Sequence, residues 1–481
     1  MKLRKYQKAL NKPTLKFLTK SKEQRAQIYA PTGAGKTTCF MSIVLDAIDR
    51  GLNNILILHP RLALSSDQLR RFKIEMGTVA RYTSFHSGKH ITGIETIREI
   101  NTTDQDELRT VINQTHHMNM PHITFSTYNS FHRLKDIKFD LAICDEAHYL
   151  VQEQFYEHIN DINADKILMY TATPVTYEME ESGMLDYSTF GKVIAKVEPS
   201  ELIKLGYIVA PLVHQLSCST NNAGDDVDIV DLVARAYVSQ YEDITKHGMP
   251  YHQMLVAARS VEGDLRTLER ETANLWRQIS TISNGLIVDP VDLYTIDAGG
   301  AYLNGRPLPS RDHAINMIRN SKKNAIVVHY DTISEGIDID TLCGVLFMRR
   351  MSKAKVLQTI GRCARPYKSD LSVKNEPRKK FFNPKQNIDI RSKPRCVVTL
   401  PTIDGKWIAN DDGSIIAEAF ILGGYGDLTT YMVSPTDDPK GTRTTVFELD
   451  EDETISSAVL SHTIERNLVD LRKLFDFGEP K

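Results

Sequence analysis

Several groups of residues have the types and spacing for chemistry on a phosphate. Residues 30–37 read Ala-Pro-Thr-Gly-Ala-Gly-Lys-Thr, with Thr38 next. A candidate strand, residues 26–29, runs into them, and a helical pattern, residues 39–48, runs out. Glycines in such a loop let backbone N–H groups turn inward around phosphate oxygens, and the new helix adds a favourable dipole. Thr32, Gly33, Ala34, Gly35, Lys36, Thr37 and Thr38 are therefore the candidate nucleotide-binding residues. Lys36 would reach the outer phosphates and the Thr37 hydroxyl would hold Mg²⁺. The first position is Ala30, where the usual pattern has glycine.

Asp145 and Glu146 follow the apolar run 141–144, and strand ends are where open α/β sheets place ligands. Asp145 would hold Mg²⁺ through its shell, and Glu146 could polarise an attacking water. Gln358, Arg362 and Arg365 fall at i, i+4 and i+7, so on a helix they share one face. Two guanidiniums there suit a γ-phosphate whose charge spreads in the transition state. Upstream, Asp338 could accept from a ribose hydroxyl, and Gly336 allows close backbone approach. Near the start, Gln7 follows Arg4, and its amide could pair with an adenine edge by donating and accepting together. Thr171 and Thr173, before Pro174, could link nucleotide state to a neighbouring segment.

These residues need strands to carry them. Continuous apolar runs stand at 55–58, 123–125, 141–144 and 167–170, and a second series at 254–257, 291–296, 325–328, 345–348 and 396–400. Runs of this kind fit parallel strands buried on both faces, with room between them for crossover helices. Two series predict two α/β domains in tandem. The polar segment 86–121 interrupts the first series, with a helix expected near 106–113. Residues 198–205 look helical, and 206–211 looks like a crossing segment. The expected boundaries are 1–210, 211–435 and a C-terminal tail, 436–481, with an acidic run and a helix.

The chain has 481 residues, 41% hydrophobic and 25% charged, the composition of a globular protein. Its net charge of -2 shows no global basic excess, so any nucleic-acid partner must meet a local patch. The six cysteines lack metal-ligand spacing and predict buried thiols in a reducing compartment. No apolar segment reads as a signal peptide or membrane span, so a soluble cytoplasmic protein without a membrane partner is expected.

Together and in order, the motifs resemble those of superfamily 2 helicases over roughly residues 1–400. Arg4 and Gln7 look like the adenine-reading Q motif. Residues 30–37 are similar to motif I, and 59–62, with Arg61, to motif Ia. Residues 126–128, with Thr127, look like motif Ib, 145–148 like II, 171–173 like III and 254–259 like IV. Residues 334–338 look like motif V, and 358–365 like VI. The last two look more like the DNA-directed branch, with its restriction-enzyme motor subunits, XPB-like proteins and phage branch-migration helicases.

The resemblance implies two RecA-like domains, with ATP and Mg²⁺ bound where both contribute. Lys36, Thr37, Asp145 and Glu146 would come from the first domain, and Arg362 and Arg365 from the second. It implies DNA as partner, single-stranded, forked or branched, with RNA not excluded. Arg61 and Thr127 would touch phosphates. Replication or recombination proteins are expected partners, and a bacterial or phage-infected cell the setting. Three readings stay open: a DNA helicase or branch-remodelling enzyme, a duplex translocase serving a nuclease, and an ATP-gated clamp. Intact Glu146, Arg362 and Arg365 argue against the clamp, which does not need them.

Residues 367–395 are not covered by the motifs. They hold nine Lys or Arg against three acids, interrupted by three prolines. The expected structure is a loop whose charges stay solvated and grip phosphates, with Arg378, Lys379 and Lys380 at its centre. Replacing these three with alanine should weaken binding to all sequences alike. It should also flatten the salt dependence by about 0.7–0.9 log units per lost phosphate contact. DNA affinity across a salt series checks this; superimposable lines would make the stretch a plain surface loop.

Overall fold

The apolar runs are strands in the computed structural model. It describes residues 2–87, 99–172, 183–217, 228–246, 251–330, 339–349, 351–367, 382–383, 388–389, 393, 395–403 and 406–407. The chain divides into two compact units, Met1–Glu198 and Pro199–Lys481. Each is built on a mostly parallel sheet with flanking helices, the α/β class expected. The tail 436–481 lies outside the described residues, as do Thr173, Pro174, Gly336, Asp338, Arg378, Lys379 and Lys380.

In the first unit the strands are β1 (Arg25–Tyr29), β2 (Asn54–His59), β3 (Arg81–Phe85), β4 (Glu99–Thr102), β5 (His122–Thr127), β6 (Phe139–Asp145), β7 (Ala164–Thr171) and β8 (Lys192–Lys196). Their order is β4-β3-β5-β2-β6-β7-β1-β8, and every pairing is parallel. The central strands are buried apart from Asn54 and Asp140 near their starts, as a sheet covered on both faces requires.

The main helices are α1 (Lys5–Lys20), α2 (Lys36–Ile48), α3 (Leu62–Met76) and α4 (Gln105–His117). Asp104 starts α4 by accepting from the N–H groups of Asp106 and Glu107, so this helix is longer than its polar sequence suggested. Aromatic side chains seat α2 and α3 on the sheet. Phe40 of α2 lies 5.5 Å from Tyr170 of β7, and Phe72 of α3 lies 5.3 Å from Phe125 of β5, between ring centres. Phe40 and Phe72 also meet each other at 6.2 Å. Each buried ring contributes about 1.5–3 kcal/mol, which fixes two helices relative to the strand ends.

The second unit has β9 (Ala210–Ser217), β10 (Gln253–Ala257), β11 (Asp292–Ile296), β12 (Ala301–Leu303), β13 (Arg306–Pro307), β14 (Ala325–His329) and β15 (Gly344–Phe347). A long strand, Arg395–Ile403, lies beside β15 and pairs with β9, so the expected crossing segment leads directly into a strand. The parallel centre runs β11-β14-β10-β15. β12 and β13 add an antiparallel hairpin, turned by Asn304 and Gly305, both at positive φ. That dipeptide supplies the backbone a two-residue hairpin turn needs.

The basic stretch 367–395, expected as a solvated loop, departs from that expectation where it is described: Phe382–Asn383 pairs antiparallel with Ile388–Asp389, and Arg395 begins the long strand. Lys393 is not solvated but fully buried. Its ammonium donates to the carbonyls of Asp340, at 3.1 Å, and Leu342, and lies 5.6 Å from the Tyr367 ring centre. Carbonyl oxygens and a π-face replace water around the charge, which is what a buried ammonium requires.

Gly191 precedes β8 at φ 76°, and a Cβ there would lie 2.2 Å from the Arg25 carbonyl oxygen. Gly191→Ala should therefore destabilise the first unit by about 1–3 kcal/mol or more. Urea unfolding measures this, and an unchanged midpoint would contradict it.

Candidate active site

The register of the first sheet brings the motif residues to one edge. Tyr29 pairs with Thr171, Tyr170 with Asp145, Leu58 with Cys144, and His59 with Thr127. Five adjacent parallel strands thus end together; Thr127, Asp145 and Thr171 are the last residues of three of them, and the loop 30–35 and Arg61 lie in the segments leaving the other two. The Ala30 N–H donates to the Thr171 carbonyl at 3.0 Å, which fixes where the loop begins.

Gly33 and Gly35 both adopt positive φ, 88° and 75°. Gly35 is the residue before α2, so Lys36, Thr37 and Thr38 form its first turn. Their N–H groups have no carbonyl one turn back to bond, the condition that makes a helix start an anion site. The loop is held from behind by α1. Tyr6 Oη donates to the Ala34 carbonyl at 2.8 Å, and Gln7 Nε2 to the same oxygen at 3.2 Å. Asn11 Nδ2 donates to the Cys39 carbonyl at 2.9 Å. A Cβ on Gly35 would lie 2.8 Å from Gln7 Nε2, so the glycine is needed for this packing as well as for its φ. Gln7 Oε1 accepts from the Arg4 N–H at 3.0 Å. The structure thus uses the Gln7 amide to join the start of α1 to the loop, with one amide hydrogen and one lone pair remaining by count.

Lys36 Nζ lies 3.0 Å from Glu146 Oε1, with the side chains 9% and 17% exposed. Glu146 has φ 51°, a left-handed conformation uncommon for a side-chain-bearing residue. Strain of this kind costs about 1–3 kcal/mol and persists where surroundings hold it. Here Tyr128 Oη fixes the preceding carbonyl, that of Asp145, at 2.7 Å, and the Glu146 N–H donates to Asp145 Oδ1 at 3.0 Å.

Asp145 is buried, and its carboxyl is pushed up to about 7, first by burial and then by the neighbouring Glu146 charge. Lys36 and a hydrogen bond from Gln68 oppose that shift. A bound cation would act in the same direction as Lys36. His148 is buried and pushed down to about 4 by desolvation, so it is neutral near pH 7. Its Nδ1 lies 3.0 Å from Thr171 Oγ1 and 3.6 Å from Glu146 Oε2. The two neighbouring motifs are therefore in direct contact.

Some expected residues sit differently. Arg61 is exposed at the start of α3, whereas Thr127 is 6% exposed and its hydroxyl donates to Ser130 Oγ at 3.3 Å. In the second unit Gln358 and Arg362 are buried on the helix Lys353–Cys363. Arg365 does not share their helical face, because the helix ends before it. The Ala364 N–H closes the last turn on the Ile360 carbonyl, and Pro366 disfavours helical backbone at Arg365.

Tyr6 and Gln68 lie outside the expected site residues, and Tyr128 stands only within the segment similar to motif Ib. Their polar atoms look like ordinary helix or loop groups until the fold brings them to Ala34 and Asp145. The cysteines follow expectation where described: Cys39, Cys144, Cys343, Cys363 and Cys396 are free and buried. Among the described residues no helix is long and apolar enough to cross a membrane.

Residues 1–176 match the family described as type III restriction enzyme, res subunit. No curated protein matches the chain. Solved structures that share its fold include two restriction-modification enzymes. One is the ATP-dependent Type ISP restriction-modification enzyme LlaBIII bound to DNA, with 15% identity and a TM-score of 0.67, covering 100% of this chain and 33% of that one. The other is a nuclease-deletion mutant of the Type ISP enzyme LlaGI in complex with a DNA substrate mimic, with 17% identity and a TM-score of 0.60, covering 89% and 29%. The chain spans about a third of the length of these enzymes. The fold is that of tandem RecA-like domains, and the resemblance to superfamily 2 helicases holds.

Tyr6→Phe removes one of two donors to Ala34 while keeping the ring. It should cost about 0.5–1.5 kcal/mol, because Gln7 still satisfies the carbonyl. Chemical unfolding of both proteins checks it; an unchanged stability would mean the hydroxyl contributes nothing.

Proposed function

We propose that the chain is an ATP-driven motor on DNA, a helicase or branch-remodelling enzyme. One observation carries the reading: the Lys36 ammonium meets Glu146 at 3.0 Å beside the buried Asp145, at the edge where the glycine loop opens. A lysine able to bind phosphate, a carboxylate able to orient water and a carboxylate able to hold a cation thus occupy one place.

The residues fit a divalent cation. Asp145 accepts from Gln68 and from the Glu146 N–H, which leaves lone pairs on both carboxylate oxygens. With Asp145 ionised, Lys36, Asp145 and Glu146 together carry one excess negative charge in little water. When bound, Mg²⁺ neutralises charge developing on the phosphoryl oxygens. Asp145 and Thr37 are assigned to hold it. Lys36 exchanges its carboxylate partner for a phosphate, which leaves Glu146 to accept from and orient a water. Arg362 and Arg365 are assigned to stabilise charge in phosphoryl transfer. Gln7 and Arg4 are placed near the base, and Gly336 and Asp338 near the ribose, by the motifs alone. Arg61, Thr127 and the basic stretch are assigned to nucleic-acid phosphates, a sequence-tolerant kind of contact.

A second reading is a duplex translocase serving a partner nuclease. It is favoured by the likeness in fold to restriction-modification enzymes, of which this chain spans about a third. ATPase stimulation by single-stranded, duplex and forked DNA and by RNA tests the substrate class. Strand-displacement and triplex-displacement assays separate the two motor readings. Stimulation by RNA alone would overturn both.

Lys36→Ala should weaken ATP binding and abolish hydrolysis. Glu146→Gln should still bind ATP while turnover collapses. Arg362→Ala should retain binding and lose about 10³-fold in turnover. Nucleotide affinity and turnover on the three variants check these outcomes; normal hydrolysis by Glu146→Gln would remove the assigned base.

A further inference from the structure

We infer that Gln68 is a positioning residue for the Asp145 carboxylate, setting how that carboxylate holds a divalent cation. The inference rests on the proposed role of Asp145. Gln68 lies on α3, far from Asp145 in sequence, and is 2% exposed. Its Nε2 donates to Asp145 Oδ2 at 2.5 Å. The other carboxylate oxygen accepts the Glu146 N–H. Each oxygen therefore has one fixed donor, and the carboxylate plane is set by two contacts from different elements.

The chemistry of the amide matters. An ionised carboxylate only accepts, so the N–H end of Gln68 must face it. The amide oxygen then points elsewhere. It is buried and has no hydrogen-bond donor among the described residues. Buried acceptors in folded proteins are nearly always satisfied, so this one marks a place for a donor. A water in the shell of a cation held by Asp145 is such a donor. Gln68 is also anchored well. On the same helix Phe72 packs on β5, and the buried Lys73 ammonium pairs with Glu99 at 2.5 Å. A partner fixed in this way holds a ligand in orientation, and loss of such partners costs about 10- to 100-fold in metal affinity.

The test uses the full chain with a non-hydrolysable ATP analogue and Mn²⁺, whose free concentration is read by electron paramagnetic resonance. Gln68→Leu and the longer, unbranched Gln68→Met should each weaken Mn²⁺ by about 10- to 100-fold. Binding of the analogue without metal should stay within twofold of wild type, which a general structural defect would not allow. Asp145→Asn is measured alongside. If it weakens Mn²⁺ and both Gln68 variants do not, Gln68 has no positioning role. If Asp145→Asn leaves Mn²⁺ affinity unchanged, the role of Asp145 itself falls, and the inference with it. Equal loss of metal-free analogue binding in both Gln68 variants would make Gln68 a packing residue and overturn the inference.

Discussion

Charge taken out of water must be balanced where it lies, and this constraint organises the first unit. Asp145, Glu146 and Lys36 are 3%, 17% and 9% exposed, with one more negative charge than positive once Asp145 is ionised. Breaking a buried pair leaves an uncompensated charge and costs about 3–5 kcal/mol. The surrounding structure therefore has to deliver donors to fixed points. Gln68 comes from α3, Tyr128 from the segment after β5, and the Glu146 N–H from a left-handed backbone. The parallel register makes this feasible, because it ends five strands at one edge.

The same constraint explains what α1 does. Its residues lie outside the sheet order, yet Tyr6, Gln7 and Asn11 all donate to carbonyls of the loop and of α2. Those carbonyls flank the N–H groups at the start of α2. α1 takes up the loop's acceptor at Ala34, while the Ala34 N–H bonds within the loop to the Pro31 carbonyl at 3.1 Å. The arrangement orients a dipole without placing a charge, and it allows the glycines to keep positive φ under close packing.

Much of this was legible in sequence for one reason: strands buried on both faces read as continuous apolar runs. β2, β5, β6, β7, β10, β14 and β15 are of this kind. β3, Arg81–Phe85, was hidden because its buried centre is polar. Thr83 is buried through a 2.9 Å contact with His122, a pairing no local pattern announces. Two features carried local signals that were passed over. Asn304-Gly305 marks the β12–β13 turn, and Pro366 marks the end of the helix before Arg365. Gln68 and Lys393 had none. Their partners are distant in sequence, so neither the positioning amide nor the buried ammonium could be told from surface residues. The candidate site was thus legible in its motif residues and not in the groups that hold them.

The hairpin β12–β13 bears on how one edge of the second sheet is closed to other chains. A sheet's last strand offers a row of unpaired N–H and C=O groups to any other extended chain. The Leu308 N–H turns inward to the Ala301 carbonyl at 2.8 Å, so by the alternation of a strand the Pro307 nitrogen faces outward. It has no hydrogen to give. Arg306 beside it is exposed and charged, and β13 is only two residues long. In the first unit the outer strand β8 carries exposed Lys192 and Lys196. One edge of each sheet thus carries a proline or charges that oppose pairing with another extended chain. The dipeptide Arg306-Pro307 thus opposes edge-to-edge pairing from a place distant in sequence from the candidate site.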